Sequence, residues 1–110
     1  MSNSKTPKVG QLPGRFKDFM KKYPAVAKAY TALGDASQTA GPLDAKTRAL
    51  VKLGIAIGMQ HQGAVHSHVR KAVEAGATPD EVRHAALLAV TTLGFPSMMA
   101  ALSWVEDVVG

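Results

Sequence analysis

The chain is 110 residues long, 46% hydrophobic and 19% charged, with a net charge of +5 and no cysteine. That length suits one domain with a small core, and the composition is that of a folded chain. Without cysteine there is neither thiol redox catalysis nor a disulfide scaffold, which fits a reducing compartment.

No apolar run approaches the roughly 18 residues of a membrane span. The opening MSNSKTPKVGQLPGRF has no apolar stretch of the signal-peptide kind. A cytoplasmic protein with no membrane partner is therefore expected. The positive charge is unevenly placed. Lys5, Lys8, Arg15, Lys17, Lys21, Lys22 and Lys28 face only Asp18 in the first thirty residues, whereas the rest holds six basic and seven acidic side chains. This reads as a solvated basic arm and helix face. No nucleic-acid motif accompanies it, and one tryptophan with five other aromatics offers little for base stacking, so no specific nucleic-acid partner is expected.

Residues 1–13, polar with two prolines and a glycine, read as a mobile basic arm, and residues 14–110 as a single helical domain. From Gly14 the apolar spacing is helical through Phe16, Phe19, Met20 and Tyr23, then Val26, Ala27, Tyr30 and Leu33. Pro24 predicts a break, Gly34 a stop, and 35–41 a loop. Asp44 is a good N-cap for a helix that is apolar almost all round from Ala49 to Met59, the mark of a buried central helix. A further helix runs from His61 to Ala75, with Gly76 as its C′ residue. Thr78-Pro79-Asp80-Glu81 spells a capping box before a helix carrying Val82, Ala85, Ala86, Ala89, Val90 and Leu93. Gly94-Phe95-Pro96 ends it, and a last helix covers Ser97 to Val108. No strand-like alternation occurs, so the fold class is all-α, with about five to six helices.

The histidines are the chemically suggestive feature. At 100° per residue, Val65, Val69, Ala72 and Val73 form the apolar face of the fourth segment, and Ser67, Arg70, Lys71 and Glu74 the wet one. His61 and His68, seven residues apart, fall about 20° from each other on the apolar arc, with His66 at its border. Buried, such rings need partners, since an unpaired polar group costs roughly 1–3 kcal/mol. They read either as hydrogen-bonded core histidines or as an acid–base pair whose pKa burial tunes toward working pH. Two turns, about 10 Å along the axis, separate them, too far to share one metal ion unaided. His84, beside Asp80 and Thr91 on a polar face, reads as solvated.

Leu43-Asp44-Ala45-Lys46-Thr47-Arg48, the run HVRKAVEAGATPDEV from His68 and the turn Gly94-Phe95-Pro96 together closely resemble the carboxymuconolactone decarboxylase family, whose superfamily includes the AhpD-like alkylhydroperoxidases. The resemblance covers about residues 43–108. It implies an AhpD-like helical bundle assembled as a homotrimer or homohexamer, with the site near subunit contacts.

In the peroxidase branch the site is a glutamate, a Cys-x-x-Cys pair beginning twelve residues later, and a histidine four beyond the second cysteine. With His68 as that histidine, the cysteine positions hold His61 and Ala64 and the glutamate position holds Ala49. Peroxidase chemistry by the thiol route is thereby excluded. The decarboxylase branch, which converts a carboxylated lactone to an enol-lactone with loss of carbon dioxide, implies His68 as proton donor and His61 as second donor or orienter. Arg70 would anchor the carboxylate, His66 would line the substrate, and no cofactor or metal would be needed. A small-molecule lyase is thus the leading expectation. The alternatives are a non-catalytic ligand-binding or assembly member and a histidine-based metal activity.

Overall fold

The computed structural model describes residues 14–110, which form six α-helices and one 3-10 turn, with no strand among them. The expected arm at 1–13 lies outside the described residues. Contacts divide the chain into two compact units, one ending at Leu43 and the other spanning Asp44–Gly110.

In the first unit, α1 (Gly14–Lys22) and α2 (Pro24–Gln38) meet where expected, with Pro24 at the first position of α2, where its missing N–H is no loss. Phe16 stacks on Phe19, and Phe19 lies 5.5 Å from Tyr23 between ring centroids. Gly34 does not stop α2, contrary to expectation. A lone glycine weakens a helix by about 1 kcal/mol without ending it. The helix runs on to Gln38, where the Ser37 hydroxyl donates to the Gly34 carbonyl at 2.9 Å and helps close the last turn.

In the second unit, α3 (Ala45–Gly58) starts at Asp44, whose carboxylate accepts the Thr47 N–H at 2.8 Å. The Asp44 carboxyl is held below its ordinary pKa, first by that backbone donor, as expected for an anion at a helix N-terminus. α4 (Gln62–Glu74) ends in a Schellman turn, with Gly76 N–H donating to Val73 and Ala77 N–H to Ala72. Gly76 has φ +105° and open space where a Cβ would stand. Gly76→Ala is therefore expected to cost about 1–2 kcal/mol through backbone conformation rather than clash. The midpoint of urea unfolding checks this; an unchanged midpoint would contradict it.

The Thr78–Glu81 capping box opens α5 (Pro79–Leu87) as expected, both reciprocal bonds being present. The helix expected to reach Leu93 instead tightens into the 3-10 turn Leu88–Thr91, after which the Thr92, Leu93 and Gly94 N–H groups share the Ala89 carbonyl. β-Branched Val90, Thr91 and Thr92 crowd a regular helix here. Gly94, at φ +101°, turns the chain into α6 (Phe95–Val109). α6 begins two residues earlier than expected because a proline is tolerated in a first turn.

One core joins these four helices: Leu53 and Ile57 from α3, Val65 and Val69 from α4, Val82 from α5, and Met98 and Val105 from α6. Alanines at 56, 72, 86 and 101 let the helices approach closely. Ion pairs tie the outside, Lys46 to Glu81 at 2.9 Å, and Arg83 to Glu106 at 2.7 Å and to Asp80 at 3.0 Å. The expectation that α3 is buried all round is only half met. Leu53, Ala56 and Ile57 are buried, whereas Ile55 and Met59 are 60% and 67% exposed. An apolar stripe without a cover in one chain is a candidate contact face.

Candidate functional site

α3 gives way to α4 through a tight turn in which Gln60 takes φ +55° and its amide Nε2 donates to the Ile57 carbonyl. This turn sets His61 outside the helix. With φ −111° and ψ 109° it is the N-cap of α4, and its Nδ1 accepts the Ala64 N–H at 3.0 Å. Nδ1 is thus bare and the ring proton sits on Nε2. A Cβ at position 63 would stand 3.2 Å from His61 Cε1, so glycine there makes room for the folded-back ring. His61 is exposed, not on a buried face as the helical wheel implied. A rotation of 100° per residue holds only for residues with helical dihedrals, and His61 has none.

The remaining candidates ride on α4, whose buried stripe is Val65, Val69 and Ala72. His68 falls about 60° to one side of the Val65 direction; His66 and Arg70 fall about 100° and 140° to the other. Their surroundings agree with this split. His68 is half-buried and feels Lys52 of α3 and Lys71 of its own helix, whereas His66 reaches α6, its Nε2 lying 2.9 Å from the Asp107 carboxylate. The structure therefore does not bring Arg70 and His66 together with His68 on one flank.

Arg70 is half-buried and its Nη1 is sealed from solvent with no hydrogen-bond partner; burial pulls its pKa down. A sealed nitrogen cannot meet an incoming carboxylate unless the side chain moves, so its setting in the single chain is one of packing.

His68 has the more suggestive surroundings. Burial is the main influence pulling its pKa below the ordinary 6.5, and the ammonium groups of Lys71 and Lys52 add to it. Lys71 is itself pulled down, first by burial and then by Lys52 and Arg70. Neutral imidazole is thus favoured beside a concentration of positive charge, an arrangement that suits an anionic ligand. Lys52 and Lys71 were not singled out by the sequence. Lys71, three residues after His68 on one helix, carries a local signal in that spacing. Lys52 carries none, because it comes from another helix.

The positions that the peroxidase pattern gives to glutamate and to the second cysteine are Ala49 and Ala64, both packed against the core. Among the described residues no three His, Asp or Glu side chains converge in a way that would hold a metal ion.

The sequence profile of the Carboxymuconolactone decarboxylase family matches residues 24–107. The chain belongs to the carboxymuconolactone decarboxylase family. A carboxymuconolactone decarboxylase family protein from Legionella pneumophila, solved in its apo form, superposes with a TM-score of 0.74 at 28% identity, covering 87% of this chain and 88% of that one. An uncharacterized protein of Haemophilus influenzae is 39% identical over 57 residues, which are 52% of this chain and 50% of that protein. The chain thus spans about half the length of that curated relative. Within the carboxymuconolactone decarboxylase family, this member has no cysteine, so the family's thiol pair is missing from it.

Proposed function

We propose that this chain is a cytoplasmic small-molecule lyase of the decarboxylase type, acting on a carboxylated lactone through His68, and that it has no thiol peroxidase activity. The observation that carries the reading is that His68 is half-buried and within the electrostatic reach of two ammonium groups, Lys52 and Lys71. In the proposed step the bond from ring carbon to carboxylate breaks and carbon dioxide leaves. The electron pair moves into the conjugated lactone, and a proton delivered to carbon gives the enol-lactone. Lys52 and Lys71 complement the substrate carboxylate first and the charge developing on the lactone oxygen afterwards. An anion arriving beside His68 favours the imidazolium, so substrate binding itself would load the proton that His68 then gives up. His61, its Nε2–H free of the cap bond, is a second donor. His66 and Arg70 would serve only where an assembly brings their flank of α4 to the same substrate.

Assembly as a homotrimer or homohexamer is part of the proposal. Ile55 and Met59 share the exposed side of α3 with Lys52, so a contact there would enclose the cationic site. Ile55→Asp is expected to shift the protein to a smaller species in sedimentation velocity without loss of helical content. An unchanged sedimentation coefficient would exclude this face from the contact.

A carbon dioxide release assay on carboxymuconolactone tests the proposed activity. Release by the wild-type protein that depends on His68 supports it, and a wild-type protein that binds the lactone without releasing carbon dioxide contradicts it. The latter result would instead support a ligand-binding member. One observation favours that second reading: Ala49 leaves no carboxylate at the position where the pattern relays protons.

The charge environment also predicts a pH dependence of stability. The folded-state pKa of His68 lies below its unfolded value near 6.5, so between the two the unfolded chain binds more protons. Its contribution is complete above pH 6.5, is lost as pH falls through the folded pKa, and is constant below that. Urea midpoints taken from pH 7.5 to 5 should fall less steeply in His68→Gln; equal slopes would contradict the assignment.

A further inference from the structure

A groove lies on the other side of α3 from His68. Taken from the buried direction of Leu53, Lys52 and Gly54 fall about 100° to opposite sides, so Gly54 faces away from the cationic site. There, α3, α5 and the 3-10 turn border an open groove of about 610 Å³, within the range of small-molecule sites. Leu50, Val51, Leu88 and Leu93 are among its apolar lining.

Two features of the lining point to a ligand. Gly54 and Gly58 stand one turn apart on the floor, and nothing within 4 Å would oppose a Cβ at either. Neither has a positive φ, so neither backbone geometry nor packing asks for glycine inside this helix, where it is unfavourable. Their effect is to leave the groove open. The polar lining is also nearly used up. The Glu81 carboxylate is held by Lys46 and the Thr78 N–H, and the Thr92 hydroxyl donates to the Leu88 carbonyl at 3.0 Å. The Thr47 hydroxyl is engaged with Asp44. His84, exposed on the lining, has no such partner among the described residues.

We infer that this groove is a binding site, separate from the His68 site, for an uncharged aromatic molecule with a single hydroxyl: a phenol. The ring would lie over Gly54 and Gly58 among the leucines. Its hydroxyl would pair with the His84 imidazole, which can accept at one nitrogen and donate at the other. The Glu81 carboxylate disfavours an anionic ligand, and because Lys46 already pairs that carboxylate the wall offers a cation no free counter-charge. His84 is the lining group left to pair, so a ligand with one hydroxyl matches the wall, and a second hydroxyl on the ring would lose water without gaining a partner where it lies against the leucines.

The test is titration of the full-length protein with p-cresol, followed by amide chemical shifts and calorimetry. Saturable binding with shifts centred on Gly54, Gly58 and His84 is expected. Gly54→Leu should weaken binding at least 10-fold by filling the floor, and the milder Gly54→Ala several-fold with the helix intact. His84→Ala should remove the preference for p-cresol over toluene. Benzoate should bind at least 10-fold more weakly than p-cresol. Any of four results would overturn the inference: shifts centred elsewhere, affinity unchanged in both Gly54 variants, benzoate binding as tightly as p-cresol, or no saturation because a second copy of the chain occupies the face. Since the readout is binding at Gly54 and His84, it stands or falls independently of lyase activity at His68.

Discussion

His68→Gln is expected to lower the rate of carbon dioxide release from a carboxylated lactone by a factor of about 100 to 10,000, the usual contribution of a positioned acid or base. Glutamine can still donate a hydrogen bond from this half-buried position but cannot carry a proton to carbon. The loss should therefore fall on kcat, with KM little changed, because Lys52 and Lys71 still hold the carboxylate. The reverse pattern is expected of Lys52→Met, where KM should rise while the proton source stays in place. If His68→Gln changes KM alone, His68 only binds the substrate, and proton delivery must come from elsewhere.

The largest expected effect on stability is at Leu53. It is fully buried at the centre of α3, among the core residues of α4, α5 and α6. Leu53→Ala is expected to cost roughly 2–5 kcal/mol, combining lost transfer energy with a cavity that neighbouring alanines are too small to fill. For a domain of this size that is a large part of the total stability. Ile55→Ala, two residues away on the exposed side, should barely move the unfolding midpoint of the single chain. Chemical denaturation of the two variants side by side measures the contrast. Similar losses at both positions at concentrations low enough to dissociate any assembly would contradict the exposure of Ile55 in the single chain.

Much of the fold was legible because its punctuation is local. Asp44, Gly76, the Thr78–Glu81 box and Pro24 each act within one turn of chain, and each stands where its chemistry requires. The misreadings share another cause. Whether Gly34 ends a helix, and whether Thr91 and Thr92 sustain one, depends on the balance of neighbouring turns and not on any single residue. α3 is apolar on nearly every side in sequence, yet a lone chain has only enough neighbours to cover part of it.

The candidate site was half legible for similar reasons. His68 emerged from helical spacing and from family resemblance, and it lies half-buried beside charge. His61 was placed on the same face by extending the wheel one residue past the true helix start, where it is a cap. Arg70 and His66 are near His68 in sequence but on the opposite flank of α4, one sealed in packing and the other paired with Asp107. Lys52 was invisible because its relation to His68 exists only once α3 and α4 pack. Spacing along a helix shows which residues share a face; it does not show what the neighbouring helix brings to that face.

The most direct measurement is an NMR titration of the His68 ring, made on the free protein and again with saturating carboxymuconolactone under conditions where turnover is slow. The free ring should titrate below 6.5, and the bound ligand should move that titration upward as its carboxylate offsets the charge of Lys52 and Lys71. A ring that titrates at or above 6.5 in the free protein, or that ignores the ligand, would contradict the assignment of His68 as the proton-carrying centre of a carboxylate site.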